Sequence, residues 1–322
     1  MADMAYRRLG DSGLTASVVG LGCNAFGRRI DGDQVRSVVT AALDAGITFF
    51  DTADIYGLGA SEELLGAALG SERDRIVVAS KFGKDMHGTN GPDFGARGSR
   101  RYIRTAVEAS LRRLGTDRID LYQMHEPDPL TPIEESLDAV TDLVREGKVR
   151  YIGSSQFAAW QVADADWTAR AIGSARMIST QENYNLLERD AELELISACE
   201  RFGVGLLPFF PLGRGLLTGK YRRGESAPPG TRLETLPEVL ERTDFDRLEG
   251  LQRYADERGL TPVDVAVGGL AAQPGVASVI CGATKPEQVA ANAAAASWQP
   301  TADDLVALDA VAPPGKVDIP GR

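Results

Sequence analysis

The chain has 322 residues, is 43% hydrophobic and carries a formal net charge of −11. That acidity argues against nucleic acid or an anionic membrane as a partner, since both require a basic face, and no apolar stretch approaches the length of a membrane span. Cys23, Cys199 and Cys281 are odd in number and far apart, and His87 and His125 are the only histidines, which argues against a disulfide frame, a zinc site or a histidine-based metal cluster.

The opening MADMAYRRLGDSG lacks the apolar segment of a secretory signal, so a cytoplasmic protein with reduced thiols is expected. Beyond it, short apolar runs alternate with amphipathic helical stretches, the pattern of parallel βα units. The first runs are VVGLGCN (18–24), TFFD (48–51) and IVVASK (76–81). Between 99 and 114, Ile103, Ala106, Val107, Ser110, Leu111 and Leu114 recur at helical spacing, leaving arginines on the other face. IDLYQMH (119–125) follows, then Thr131-Pro132-Ile133-Glu134, which reads as a capping box with proline at the first helical position. That helix carries Leu137, Val140 and Val144 on one stripe and should stop at Gly147. The remaining runs are VRYIGSS (149–155), MISTQ (177–181), VGLLPF (204–209) and ASVICG (277–282).

Eight strands with helices between them predict an α/β fold, a closed (β/α)8 TIM barrel whose functional groups sit at the C-terminal face of the strands. No repeat or linker divides the chain, so residues 1–322 are expected to form one barrel domain. Two segments lie outside the repeat. TGKYRRGESAPPGTRLETLPEVLERTDFD (218–246) is a connection of the length that is usually functional or disordered. The tail APPGKVDIPGR has no periodicity and either crosses the barrel mouth or is frayed.

Asp51, Lys81 and His125 fall at the ends of the second, third and fourth strands, and Tyr56 lies in the loop after the second. Sequential strands are neighbours, so the four side chains can converge. A phenol near pKa ~10 is a poor acid at neutral pH, and an ammonium about 4 Å away is expected to lower that value by roughly 4 kcal/mol of phenolate stabilisation. Asp51 would keep Lys81 protonated, and His125 would orient a substrate oxygen. Each residue also has an ordinary structural use: an aspartate caps a helix, a tyrosine anchors a loop, a lysine ends a strand. Their combination on consecutive strand ends is harder to explain that way.

Hydride transfer to a carbonyl delivers negative charge to an oxygen, and the hydride comes from a cofactor. GLGCNAFG and GLGASEELLG both fail the GxGxxG dinucleotide fingerprint, and RGLLTGKY is not a P-loop. A nucleotide would bind instead near the seventh and eighth strands. PLGRGLLTGK (211–220) offers backbone amides, Arg214 and Lys220 for a pyrophosphate, and GATKPEQVAAN (282–292) opens the last helix with Lys285 beside it.

Taken together, DTADIYG, ASKFG, RRLGTDRIDLYQMH, EGKVRYIGSS, TQENYNLLER, PLGRGLLTGKY and GATKPEQVAAN run in fixed order over nearly the whole chain, which resembles the aldo-keto reductase superfamily. The resemblance implies a (β/α)8 barrel that reduces aldehydes or ketones with NADPH, through a tetrad of Asp51, Tyr56, Lys81 and His125 with Tyr56 as general acid. By motif, Ser155 and Gln181 hold the nicotinamide carboxamide and Phe209 stacks on the nicotinamide. Pro211, Leu212, Gly213 and Arg214 line the pyrophosphate, and Gly282, Thr284, Lys285, Gln288 and Asn292 surround the adenosine end. Gly22 and Lys220 join the cofactor contacts. Gln156 follows Ser155 where relatives carry asparagine, and Lys285 and Gln288 stand where many carry an arginine for the 2′-phosphate. NADPH is therefore the expected cofactor, with NADH as the alternative. Asn24, Phe26 and Phe82 are the expected pocket walls, suited to a small or aromatic aldehyde or a keto-sugar. Two other functions are compatible with the same residues: an NAD(P)-dependent sugar or alcohol dehydrogenase working toward oxidation, and a nucleotide-sensing regulatory subunit with little turnover. The substrate, the physiological direction and the oligomeric state are not readable from the sequence.

Overall fold

A computed structural model describes residues 4–315. A short antiparallel hairpin, β1 (Tyr6–Arg8) and β2 (Thr15–Ser17), leads into the barrel strands. These are β3 (Val19–Gly22), β4 (Phe49–Asp51), β5 (Val77–Phe82), β6 (Ile119–Met124), β7 (Val149–Ser155), β8 (Met177–Asn183), β9 (Gly205–Phe209) and β10 (Val279–Gly282). They pair in parallel in chain order, and β10 closes the ring onto β3 through Val279 beside Val19. Each of the eight expected runs supplies one strand, because a parallel sheet covered on both faces needs near-continuous apolar residues.

The outer layer is built from α1 (Gly32–Asp44), α2 (Ala60–Leu69), α3 (Arg100–Leu114), α4 (Ile133–Arg145), α5 (Ala159–Ile172), α6 (Leu195–Phe202), α9 (Pro262–Ala271) and α10 (Pro286–Ala295). The short α7 (Pro237–Glu241), with α8 (Phe245–Glu257) and α11 (Ala302–Val311), packs outside that ring. Helix α3 starts after Ser99, whose hydroxyl oxygen accepts from the Tyr102 amide, and ends at Gly115 in the left-handed region. Past α4 the chain turns at Gly147 with φ of 76°, as its sequence position implied. The capping box expected at Thr131 does not form. Pro132 occupies the N-cap of α4 without a side-chain cap. The Thr131 hydroxyl instead donates to Asp128 at 2.7 Å, the nearby carboxylate being the stronger acceptor.

Side chains alternate along the strands, and this sets the two ends of the barrel apart. Phe49, Val77, Ala79, Leu121, Leu207 and Ile280 form an interior cluster with Leu9 and Ala16 of the hairpin. Phe50, Val78, Phe82 and Tyr122 belong to the larger cluster between barrel and helices. The hairpin, for which the sequence offered no periodic signal, thus plugs the N-terminal end. The Asp11 amide donates to the Gly203 carbonyl at 2.8 Å there, and Arg7 donates to the carbonyls of Ala271 and Val276.

The connection at 218–246 is ordered. Tyr221 and Leu233 are buried in a second cluster with Leu186, Leu216, Leu217, Leu251 and Tyr254. Of the C-terminal tail, Ala312 is buried and its carbonyl accepts from Arg189. Residues 316–322 lie outside the described residues, so the alternatives of crossing or fraying are not decided for them.

Candidate active site

Two residues beyond the apolar layer, the inward positions of the same strands turn polar: Phe49 is followed by Asp51, Ala79 by Lys81, Leu121 by Gln123. The Lys81 ammonium is fully buried and donates to both Asp51 oxygens, at 2.8 and 2.7 Å, and to the Thr52 carbonyl at 2.9 Å. Its remaining contact is the Tyr56 hydroxyl at 3.4 Å. Asp51 also accepts from the side-chain amides of Gln181 at 2.9 Å and Gln123 at 3.3 Å. Tyr56 reaches this spot because the next residues, Gly57, Leu58 and Gly59, all have positive φ and fold the loop back into α2. The ring of His125 meets that of Tyr56 edge-on, with centroids 5.9 Å apart.

The electrostatics follow from this contact set. Burial alone would push the Lys81 ammonium down, but Asp51 and then Tyr56 outweigh it and hold it above its ordinary value, so it stays charged. For Tyr56, burial pushes the phenol up, Lys81 pulls it down and Asp51 pushes it back up; the net direction is upward. The expected acidification of the phenol is therefore corrected. Burial of the hydroxyl outweighs the pull of Lys81, which lies closer to Asp51 than to Tyr56. His125 is held well below its ordinary value by burial, then by Lys81 and Lys84, so its imidazole is neutral. Its Nδ1 is buried without a hydrogen-bond partner among the described residues.

Above this cluster opens a cavity of about 750 Å³. Its lining brings together Gly22, Asn24, Asp51, Tyr56, His125, Ser155, Gln156, Gln181, Phe209, Pro211, Leu212, Arg214, Lys220, Gly282, Thr284, Lys285, Gln288 and Asn292. Lys81 sits beneath its floor. Gln156 takes a left-handed backbone, φ 57°, from which its side chain donates to the His125 carbonyl at 3.0 Å. Phe210 and Arg214 share that conformation in the turn after β9, three non-glycine residues in a sparsely populated region around one cavity.

Besides Lys81, three expected positions are not in the lining. Gly213 is buried behind its neighbours. Phe26 and Phe82 are fully buried in the barrel–helix cluster, so neither can wall the pocket. Phe82 must point outward because Lys81, its neighbour on the strand, points in. Missed by the sequence reading were Arg28, Arg29, Phe210, Thr218, Thr231 and Arg232, all of which line the cavity. Loop arginines have no periodicity to expose them; their only trace in the sequence is the RR pair at 28–29 and the APPGTR stretch at 227–232.

A family model described as "Aldo/keto reductase family" matches residues 18–313. The chain is similar to a protein from Arabidopsis thaliana named as a probable voltage-gated potassium channel subunit beta, at 35% identity over 94% of each chain. It is similar at 37% identity, over 89% of each chain, to the uncharacterized oxidoreductase YrpG of Bacillus subtilis. A probable aldo-keto reductase 1 from Glycine max is 35% identical over 96% of this chain and 89% of its own.

Proposed function

This chain belongs to the aldo/keto reductase family, and on that premise we propose that it reduces an aldehyde or ketone to the alcohol with NADPH, Tyr56 being the proton donor. The observation that carries the reading is the Lys81 ammonium, held between Asp51 and the Tyr56 hydroxyl under a cavity faced by a neutral His125.

The cavity suits such a cofactor. Ser155, Gln156 and Gln181 offer amide and hydroxyl groups at adjoining strand ends, and Phe209 offers an aromatic face. Arg214, Lys220 and Lys285 offer charge for phosphates; among the described residues Lys220 and Lys285 have no carboxylate within 4.0 Å, and Arg214 has only the loose contact with Glu188 at 3.9 Å. When bound, NADPH supplies the hydride. Lys285, at the N-cap of α10, favours the form carrying a 2′-phosphate over NADH.

Tyr56 accepts from Lys81, so its own hydroxyl proton is free to point at the substrate oxygen. A phenol with a raised pKa keeps that proton at neutral pH. Giving it to a nascent alkoxide, whose conjugate acid is about as weak an acid as water, remains downhill. Lys81 then stabilises the phenolate left behind, and Asp51 keeps Lys81 charged. His125, being neutral, can donate one N–H to the carbonyl oxygen without competing for the proton. The same groups serve in reverse, so oxidation of an alcohol by NADP⁺ is the same reading run backward.

The test is loss of NADPH absorbance on mixing with small and aromatic aldehydes. Tyr56→Phe should lower kcat by about 10²–10⁴-fold while leaving NADPH affinity in place. An unaltered kcat would remove Tyr56 from the mechanism. The relatives named as channel subunits favour a second reading, a nucleotide-binding regulatory subunit. Tight NADPH binding with negligible turnover across the panel, and a stable membrane-protein partner in pull-down, would favour that reading instead.

A further inference from the structure

Once Arg214, Lys220 and Lys285 are assigned to cofactor phosphates, guanidinium groups remain at the same cavity. Arg28 and Arg29 come from the loop after β3, and Arg232 from the segment after β9. Among the described residues, none of these three has a carboxylate within the 4.0 Å of an ion pair, although arginines elsewhere on the surface are widely paired, as Arg100 is with Asp138 and Asp142. The groups crowd one another. Arg232 and Arg214 both stack on the ring of Phe210, at 4.8 and 5.1 Å from its centroid. Burial lowers the Arg232 guanidinium, and repulsion from Arg214, Arg29 and Arg28 lowers it further. In a chain of net charge −11, unpaired like charges at one cavity destabilise the fold unless an anion completes them.

We propose that Arg28 and Arg29, with Arg232 adding to the positive potential, bind an anionic group of the substrate. The natural substrate is then a carbonyl compound that also bears a carboxylate or a phosphate. The inference rests on the reductase reading and narrows it to a substrate class. Exposed, rotatable arginines on the first loop suit a ligand that comes and goes with each turnover. Planar guanidinium groups match the paired oxygens of either anion.

The experiment compares kcat/KM within two pairs: 4-carboxybenzaldehyde against benzaldehyde, and glyceraldehyde 3-phosphate against glyceraldehyde, with saturating NADPH. The charged member of at least one pair should be preferred by about tenfold or more at low ionic strength, the preference shrinking as salt is added. Which pair shows it distinguishes carboxylate from phosphate. In Arg28→Gln/Arg29→Gln the preference should fall toward unity, and Arg28→Lys/Arg29→Lys should keep part of it. No preference in the wild type, or a preference that the glutamine variant retains, overturns the proposal. So does an unchanged preference accompanied by weakened NADPH binding, which would give these arginines to the cofactor. If no aldehyde of either kind is reduced, the reductase reading itself fails. The anion site is then read by calorimetric titration of 4-carboxybenzyl alcohol against benzyl alcohol, and of glycerol 3-phosphate against glycerol, into the NADP⁺-loaded protein, where equal affinities within both pairs overturn it.

Discussion

The two ends of the barrel are made from the same strands and differ in almost every physical respect. At the N-terminal end, Leu9 and Ala16 of the hairpin close over Phe49, Val77, Leu121 and Leu207, an apolar plug with conventional packing. The backbone there is so close that a Cβ on Gly10 would lie 2.3 Å from the Gly203 carbonyl oxygen. Two residues along, at the C-terminal end, the interior holds a buried ion pair, with an imidazole nitrogen and a rim of guanidinium groups that have no partner among the described residues. Backbone in the left-handed region at Gln156, Phe210 and Arg214 adds local strain. The contrast teaches where the fold can tolerate unfavourable chemistry: the strands are anchored at one end, so the other can carry charge, desolvation and strain.

Breaking the contrast at its most costly point gives the largest effect. Lys81→Met leaves Asp51 charged and buried without its main partner, and should cost about 4 kcal/mol in unfolding free energy along with turnover. Asp51→Asn/Lys81→Met should recover most of that stability in urea titrations while remaining inactive. A double variant as unstable as the single one would show that the pair matters for more than charge compensation. At the opposite end, Leu9→Ala should lower stability by about 3 kcal/mol through the cavity it leaves, with kcat and KM at ambient temperature near wild type. A changed kcat would mean that the plug communicates with the mouth.

A pH-dependent effect concerns a second buried acid just above the tetrad's strand. Asp54 is fully buried, accepts from Asn90 at 3.1 Å, and has one oxygen without a partner among the described residues. Burial, then the nearby Glu62, push its carboxyl up to about 8. Between the ordinary carboxylate range and pH 8 the folded chain keeps a proton that the unfolded chain has released. The stabilisation is therefore fully present in acid and is lost as pH rises through this window, by at most about 1.4 kcal/mol per pH unit. Asp54→Asn should flatten the decline, measured as unfolding midpoints between pH 5 and 8. A parallel decline in both proteins would remove Asp54 as its source.

How much of this was legible follows from what repeats. Barrel strands buried on both faces leave unbroken apolar runs, so their number and order could be read. Asp51, Lys81 and His125 could be found because each ends such a run, and Tyr56 because it follows one. The hairpin was invisible because three-residue strands such as Tyr6–Arg8 are too short for any period to register. Phe82 was misassigned although the signal was available: with Lys81 inward, an alternating strand sends Phe82 out. Arg28, Arg29 and Arg232 come together only through tertiary folding of two distant loops. The direction of the Tyr56 shift depends first on how deeply the phenol is buried, which no spacing along the chain encodes.

Closure of the ring by β10 against β3 has a consequence for synthesis. Val279 cannot meet Val19 until the chain through β10 has left the ribosome. Until then the nascent chain carries two open sheet edges, at β3 and β9, with unsatisfied backbone groups flanked by apolar side chains. Translation that stalls before residue 279 would therefore release a species prone to pair edge-to-edge with its own kind, and chaperone demand should peak just before the last strand emerges.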